Sequence, residues 1–408
     1  MTSFAPLVSM LAVPARPVNQ PTRGPGRAKG RTAEGATSRF GPAAPPMVRA
    51  SARDHADAIE ACFAAGWTDG LPVVPPEEHV VARFLEAVGW DPSEIVLYEP
   101  VRGAAVHAGA IVVNAVMAGC RPTYLPVVRA AIRAMAHPDF EVHPATSSTG
   151  GPGPVLVVNG PIRNELGLNS GTNVFGPGNR ANAAIGRAVR LVLWNCMGAR
   201  TGELDNATQG WFGKYTACFA EREETSPFEP FHVRRGFQAE VSCVTVLAAE
   251  SPHTVLTASG VDAEAVLLTA SDVLGSLGSH SDGQGFLVLC PEHAQILARA
   301  GWTIRSLQEH LFHASRRTIA ELKRSGKLEG CIEPSDEIAS RPRGRTPDDI
   351  LVVHAGGDAG AVSAWIPTWA RGRGSVAVTA PIDERDGAPV GSTPGPGNAP
   401  GLGDGRPR

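Results

Sequence analysis

The chain has 408 residues, 43% of them hydrophobic and only 6% aromatic, enough to bury a sizeable core in one large or two ordinary domains. Lys plus Arg number 37 against 40 Asp plus Glu, and the net charge of −3 leaves no electrostatic footprint for nucleic acid or an anionic membrane surface. The longest apolar runs, "VLVV" at 155–158 and "VTVLAA" at 244–249, fall far short of the roughly 20 residues of a spanning helix.

Residues 1–48 are basic, with Glu34 the single acid, rich in Pro, Gly, Ala and Ser, and without a helical apolar period. Such a segment cannot offset its ordering entropy, so it reads as a disordered leader or as the product of a mis-called start ahead of Met47. From there the apolar pattern predicts helices over "DHADAIEACFAAGW", "EEHVVARFLEAVGW", Ala104–Ala118 and Pro126–Ala136. "GPVLVVNGP" reads as a buried strand with Pro161 at a helix start, and "GFLVLCPEHAQILARAGW" repeats that arrangement around Pro291. "AEVSCVTVLAAE" and "DILVVHAGG" add strands and "RANAAIGRAVRLVL" a helix; with "KYTACFAE" as a strand, Lys214, Thr216 and Cys218 would share one face. The class is α/β, a mixed sheet with flanking helices, because several helices precede the first clear strand. The two strand-Pro-helix units suggest a weak internal duplication, with pseudo-repeats at about 100–200 and 238–360 of a globular unit spanning 49–382; residues 383–408 read as a Gly/Pro-rich tail.

Seven cysteines, at 62, 120, 196, 218, 243, 290 and 331, form no CxxC and cannot all pair within one chain. This excludes zinc-ribbon and thioredoxin spacings, predicts no metal and suits a cytoplasmic location.

Four segments carry candidate chemistry. In "GTNVFGPGNRANAAIGRA" the Gly176-Pro177-Gly178 turn leads into a helix whose free N–H groups, with Asn179, Arg180 and Asn182, are suited to hold a carboxylate or phosphate; a capped helix with solvated arginines is the competing reading. "GWTDGLPVVPP" places Trp67 beside Asp69 in a turn, as a pocket wall or as local structure. In "VNAVMAGCRP", Asn114 is the lone amide of an apolar stretch, and Arg121 adjoins Cys120, a buried hydrophobe or a nucleophile. The fourth, "GKYTACFAEREETSPFEPFHVRRGF" at 213–237, concentrates one Cys, four Glu, a His, a Lys and three Arg. It reads as a structured loop whose charges pair across it, with Glu224 and His232 as acid/base candidates, Cys218 as an alternative nucleophile, and Lys214 and Tyr215 near the substrate.

The chain resembles an uncharacterised bacterial family on the segments "GWTDGLPVVPP", "VNAVMAGCRP", "VNGPIRNELGLN", "FGPGNRANAAIGRA", "GKYTACFAEREETSPFEPFHVRRGF" and "AGGDAGAVSAWIP", in that order between about 55 and 380. The resemblance implies a selenocysteine- or cysteine-containing companion protein and no particular reaction. Phe228 and Phe231 stand where relatives would have Trp and Leu, and Arg222 where they would have Asn or Asp.

Two functions follow as expectations. The first is an enzyme acting on a small anionic or carbonyl-containing molecule, with Gly178–Asn182 binding the anion, Arg163 and Arg180 as charge partners, Glu224 or His232 moving the proton, and Cys120 or Cys218 as thiol variants. The charged tips of Arg180, Glu224 and His232 should then converge in one pocket. The second is an accessory subunit for the redox companion; a second copy of the chain is a further partner to consider, and no cofactor is assigned.

Overall fold

The computed structural model describes residues 8–12, 48–369 and 375–382. Strands β1 (Val8–Ala12) and β2 (Val48–Ala52) pair antiparallel, followed by helices α1 (His55–Ala64) and α2 (Glu78–Val88), the hairpin β3 (Ile95–Glu99) and β4 (Ala104–His107), and helices α3 (Ala108–Met117), α4 (Leu125–Met135) and α5 (Val142–Ser147). Then come β5 (Gly153–Asn159), α6 (Ile162–Glu165), α7 (Arg180–Met197), β6 (Cys218–Ala220), α8 (Phe231–Arg234), β7 (Cys243–Ala249) and β8 (His253–Leu256). The rest is α9 (Ala263–Leu274), β9 (Gly285–Leu289), α10 (Pro291–Arg299), α11 (Ile304–Ala314), β10 (Arg317–Thr318), α12 (Ile319–Arg324), β11 (Ser340–Arg341), β12 (Ile350–His354), β13 (Val362–Pro367) and β14 (Val378–Pro381). Among the described residues no helix is long and apolar enough to cross a membrane.

The class is α/β with mixed sheets between helices. One four-stranded sheet runs β14-β7-β5-β6 and the other β8-β13-β9-β12. In each, an inner strand (β5, β9) is parallel to one edge strand (β6, β12) and antiparallel to the other inner strand (β7, β13), which pairs antiparallel with the far edge (β14, β8). The two sheets are thus one arrangement built twice. Chain order adds a twist: β7 leads into β8 of the second sheet, and β13 leads into β14 of the first.

Because side chains alternate across a strand, each inner strand buries two faces. Val155, Val157 and Leu247 meet Phe286, Val288, Leu351, Val353 and Ile366 between the sheets. Leu156, Val158, Val244 and Val246 pack on Ile111, Ile132 and Val189 of α3, α4 and α7. Leu287, Leu289, Val352 and Trp365 pack on Val266, Leu307 and Leu311 of α9 and α11. The result is four layers, helices on sheet on sheet on helices.

The structure corrects the sequence reading in three places. Ala104–His107 is a strand, not the first turn of a helix, because Ile95–Glu99 offers it a hydrogen-bonding partner; α3 starts after His107, whose backbone is extended. The strand expected over "KYTACFAE" shrinks to Cys218–Ala220, with Phe212–Lys214 a 3-10 turn, so Lys214, Thr216 and Cys218 do not share one strand face. Val8–Ala12, inside the expected disordered leader, forms a strand against Val48–Ala52 and buries Met10 in the helical core. The remainder of that leader and the 383–408 tail lie outside the described residues.

Candidate functional site

The charged segment folds inward at the carboxyl ends of β5 and β6. Glu221 is enclosed: Oε2 accepts from Asn159 Nδ2 at 2.5 Å and the Phe231 amide at 2.7 Å, and Oε1 from the His354 amide at 3.2 Å. Burial pushes its carboxyl up, with Arg234 opposing. Glu223 Oε1 accepts from Asn159 Nδ2 and the Gly160 amide at 2.9 and 2.8 Å, while its Oε2 lies 3.0 Å from Arg163 Nη2. Arg163 also donates to the Gly160 and Glu221 carbonyls at 2.9 and 2.7 Å and to Glu224 Oε1 at 2.9 Å. Arg222 ties this network to the other sheet, its amide donating to the His354 carbonyl at 2.7 Å and its guanidinium pairing with Asp358 at 2.7 Å.

This geometry removes the expected acid/base pair. Glu224 is half-exposed, and hydrogen bonds from Arg163, then Asn164, hold its carboxyl down to about 2, so it carries no proton near neutrality. His232 is wholly buried, with Nδ1 3.8 Å from Glu223 Oε1 and Nε2 3.4 Å from the Ala239 carbonyl. Burial pushes its imidazole down. Arg180 donates to the Gly119 carbonyl at 3.0 and 2.8 Å. Arg180 thus serves a different segment, while Glu224 and His232 are linked to each other only through Arg163 and Glu223.

The helix start is equally occupied. Asn179 Oδ1 caps the Asn182 amide at 3.0 Å and its Nδ2 donates to the Gly167 carbonyl, while the Asn182 side chain exchanges two hydrogen bonds with the Asn169 backbone. Gly178, at φ 122°, supplies the turn. Of the side chains expected to hold an anion, Asn179 and Asn182 hold Gly167 and Asn169 instead, and Arg180 holds Gly119.

The other candidates are mostly structural. Asp69 accepts two bonds from Arg187 at 3.0 and 2.8 Å, Trp67 is buried in the helical core, and Asn114 accepts from Asn195 at 2.7 Å. Lys214 pairs with Asp205 at 2.5 Å. Arg121 and Tyr215 are exposed. Burial pushes the Cys120 thiol up to about 12 and Cys218 higher still. Neither is a ready nucleophile.

Two cavities meet at the loop Asn173–Gly176. The larger, about 510 Å³, is lined by Phe175, Trp211, Phe212, Val155, Phe219 and Ile366, with Asn182, Thr216, Cys218 and Ser251 as its polar or sulfur-bearing members. Trp211 Nε1 is buried there without a hydrogen-bond partner. The second, about 330 Å³, lies at the carboxyl ends of β9 and β12 and is lined by Cys290, Val288, Ser363 and the glycine-rich loop 355–360. Val174, Phe175, Gly176 and Pro252 belong to both, making one two-lobed cleft. The dividing loop is closely wound: Asn173 sits at φ 57°, its side-chain Nδ2 donates to the Pro177 carbonyl at 3.1 Å, and a Cβ on Gly176 would lie 2.1 Å from Asn173 Oδ1. A Cβ on Gly357 would come within 2.7 Å of Thr172 Oγ1, so these loops approach at glycine distance.

Cys290 caps the start of α10, with Pro291 following. Its amide donates to Ser363 Oγ at 2.9 Å, and Ser363 Oγ lies 2.8 Å from His293 Nδ1, whose Nε2 is 2.8 Å from Thr257 Oγ1. The repeated sheet gives this residue a counterpart. Val158 and Leu289 both face helices and pair with Ala220 and His354 on their parallel neighbours, so Asn159 and Cys290 occupy matched places on the inter-sheet side. In the first sheet that place is filled by the Glu221–Glu223 network; in the second it opens on a cavity.

Of the residues expected at a site, Asn182 and Cys218 line the cleft. Sequence reasoning missed Cys290, Ser363, His293 and Phe175. The available signal was "LVLCPEHA", where a cysteine rather than a glycine separates strand from Pro-started helix, together with "AGGDAGAVS". Among the described residues no group of three or more His, Cys, Asp or Glu could hold a metal ion. No protein-family model, curated protein or solved structure matches the chain, so the family resemblance stands on its quoted segments alone.

Proposed function

We propose that the chain is an enzyme acting on a small carbonyl-containing molecule, with the apolar body in the larger lobe and the carbonyl in the smaller one beside Cys290. The observation that carries this reading is the two-lobed cleft, of a size usual for ligand sites, with a thiol at the carboxyl end of a parallel strand pair. Trp211 Nε1 is a donor without a partner in the apolar lobe. In the smaller lobe the Cys290 sulfur forms a bond to the carbonyl carbon as the C=O π pair moves to oxygen, which takes up the proton lost from the thiol to give a hemithioacetal-type adduct, and the amides of Gly357, Ala359 and Gly360, which donate to no acceptor among the described residues, are available to that oxygen.

Native-state alkylation with iodoacetamide, read by peptide mass spectrometry, tests it. Exposed Cys331 should react first and Cys290 next, well ahead of the core thiols, and Phe175→Trp, which fills the shared wall, should slow Cys290 at least severalfold. A Cys290 as inert as Cys120 in the folded protein would remove the thiol from the mechanism.

A second reading has its own observation. Phe212 is 92% exposed at the mouth of the larger lobe, with exposed Phe175 lining the same lobe and exposed Tyr215 three residues beyond Phe212, an aromatic surface suited to the companion protein implied by the family resemblance. Phe212→Ala would then abolish capture of a companion while leaving Cys290 alkylation unchanged.

A further inference from the structure

Away from the cleft, buried polar atoms without partners collect around the segment 275–284 that joins α9 to β9. Cations from three different elements bind its carbonyls: Arg317 Nε donates to Gly275 at 2.6 Å, Lys327 Nζ to Gly278 at 2.7 Å, and Arg343 Nη1 to Ser279. Carbonyls offer only dipoles; Arg317 also lies 3.8 Å from Asp272 Oδ1 and 3.6 Å from Glu321 Oε1, whereas Arg343 has no such carboxylate partner among the described residues. Arg343 is almost completely buried, 4.8 Å from the Trp365 ring centroid, and its Nε and Nη2 have no hydrogen-bond partner. Among the described residues no carboxylate lies within ion-pair distance of it. A buried guanidinium with two unused N–H groups is costly unless something supplies negative charge.

Next to it is a cavity of about 140 Å³, lined by His280, Ser281, Asp282, Leu322, Lys327, Leu328 and Arg341. His280 is 5% exposed, with Nε2 buried and unpartnered, and Ser279 Oγ beside it is also unpartnered. Burial first, then Arg343, Arg341, Lys327 and Arg317, push the imidazole down to about 4, so it is neutral near pH 7. Its Nε2–H tautomer can donate without taking up a proton. The acids nearby are otherwise engaged. Asp282 pairs with Arg341 on the cavity wall, Asp349 accepts from the Arg345 and Thr346 amides, and burial pushes the Glu250 carboxyl up, with Lys327 and Arg343 opposing.

We propose that this cavity is a binding site for a small tetrahedral oxyanion, phosphate or the phosphate group of a metabolite, received by His280 Nε2–H, Lys327 and Arg341, with Arg343 supplying charge from beneath. The volume holds several waters or one such ion, and Asp282, by engaging Arg341, sets the side the anion does not approach. The site shares no lining residue with the cleft, so it stands whether or not Cys290 is catalytic.

Isothermal titration of the full chain with inorganic phosphate, and separately with glycerol phosphate, at ionic strength fixed by sodium chloride, is the test. Saturable binding is expected, weakened about tenfold or more by His280→Leu and by Lys327→Met, each checked for an unchanged far-UV spectrum. Tighter binding of the monoester identifies a metabolite headgroup; preference for inorganic phosphate identifies the free ion. Heat no greater than that of added chloride, or affinity unchanged in both folded variants, overturns the proposal. If either substitution unfolds the chain, Arg341→Gln, at a side chain 37% exposed, provides the same comparison.

Discussion

Arg163→Met removes the cation at the centre of the charged segment and measures whether that segment is scaffold. The substitution takes a partner from Glu223 and from Glu224 and donors at 2.9 and 2.7 Å from the Gly160 and Glu221 carbonyls. Glu224 rehydrates, being half-exposed, so its pair contributes under about 1 kcal/mol. Glu223 has a side chain only 13% exposed, and breaking a buried pair costs about 3–5 kcal/mol. For a folded unit of roughly 330 residues, a melting entropy near 2.1 cal/mol/K per residue makes this a fall of about 4–7 °C in Tm. Acid titration gives a second signature. Glu224 is held down to about 2 in the fold against about 4.3 unfolded, so its ionised form stabilises the native state above about pH 4.3 and that contribution is lost as pH falls through about 2. Solvent screening makes this slope shallower than the shift alone implies. Urea unfolding between pH 2 and 7 should show the slope in the wild type and not in Arg163→Met. A loss under about 1 kcal/mol with the acid slope intact would refute the scaffold reading.

Asp69→Ala strips Arg187 of a bidentate partner that is 3% exposed and should cost about 3 kcal/mol in chemical denaturation, without changing iodoacetamide labelling of Cys290. Gly186→Val puts a Cβ 2.3 Å from Thr216 Oγ1 and 3.0 Å from the Ala217 amide, so α7 must move off β6; we expect about 1–3 kcal/mol of destabilisation and a narrower larger lobe, read as slower exchange of any ligand held there. Cys62, Cys120 and Cys196, pushed up by burial to about 11, 12 and 12, should stay unmodified at pH 9 until urea is added, when thiol titration recovers them.

The parts of the fold legible from sequence are those with punctuation. α7 is bounded by the Asn179 cap and left-handed Gly198, and β5, β9 and β12 are continuous apolar runs, two of them stopped by proline. The β3–β4 hairpin was not legible, because "AAVH" carries no alternation and its strand character comes from Ile95–Glu99 beside it. The charged segment shows the same limit more sharply. Composition reveals that Glu221 to Arg235 is dense in charge, but its direction depends on Asn159, His354 and Asp358, which lie 62 to 136 residues away. Cys218 and Asn182 reach the cleft because they flank the Gly-Pro turn in space. Cys290 was hidden because its strand, "GFLVLC", reads as core to its last residue.

The return of β14 to the first sheet, after the whole second sheet, bears on how the chain can be made and unmade. β8 emerges directly after β7 but must wait roughly a hundred residues for β13, and the first sheet keeps an open edge on β7 until β14, downstream of every other described element, closes it. The first sheet therefore cannot finish during synthesis until the whole second sheet has been made, unlike a separable domain. The pairings that complete both sheets are long-range, which favours slow, late consolidation. By the same connection, a single nick between β7 and β8 leaves the pieces clasped, because the C-terminal piece still supplies β14 to the first sheet.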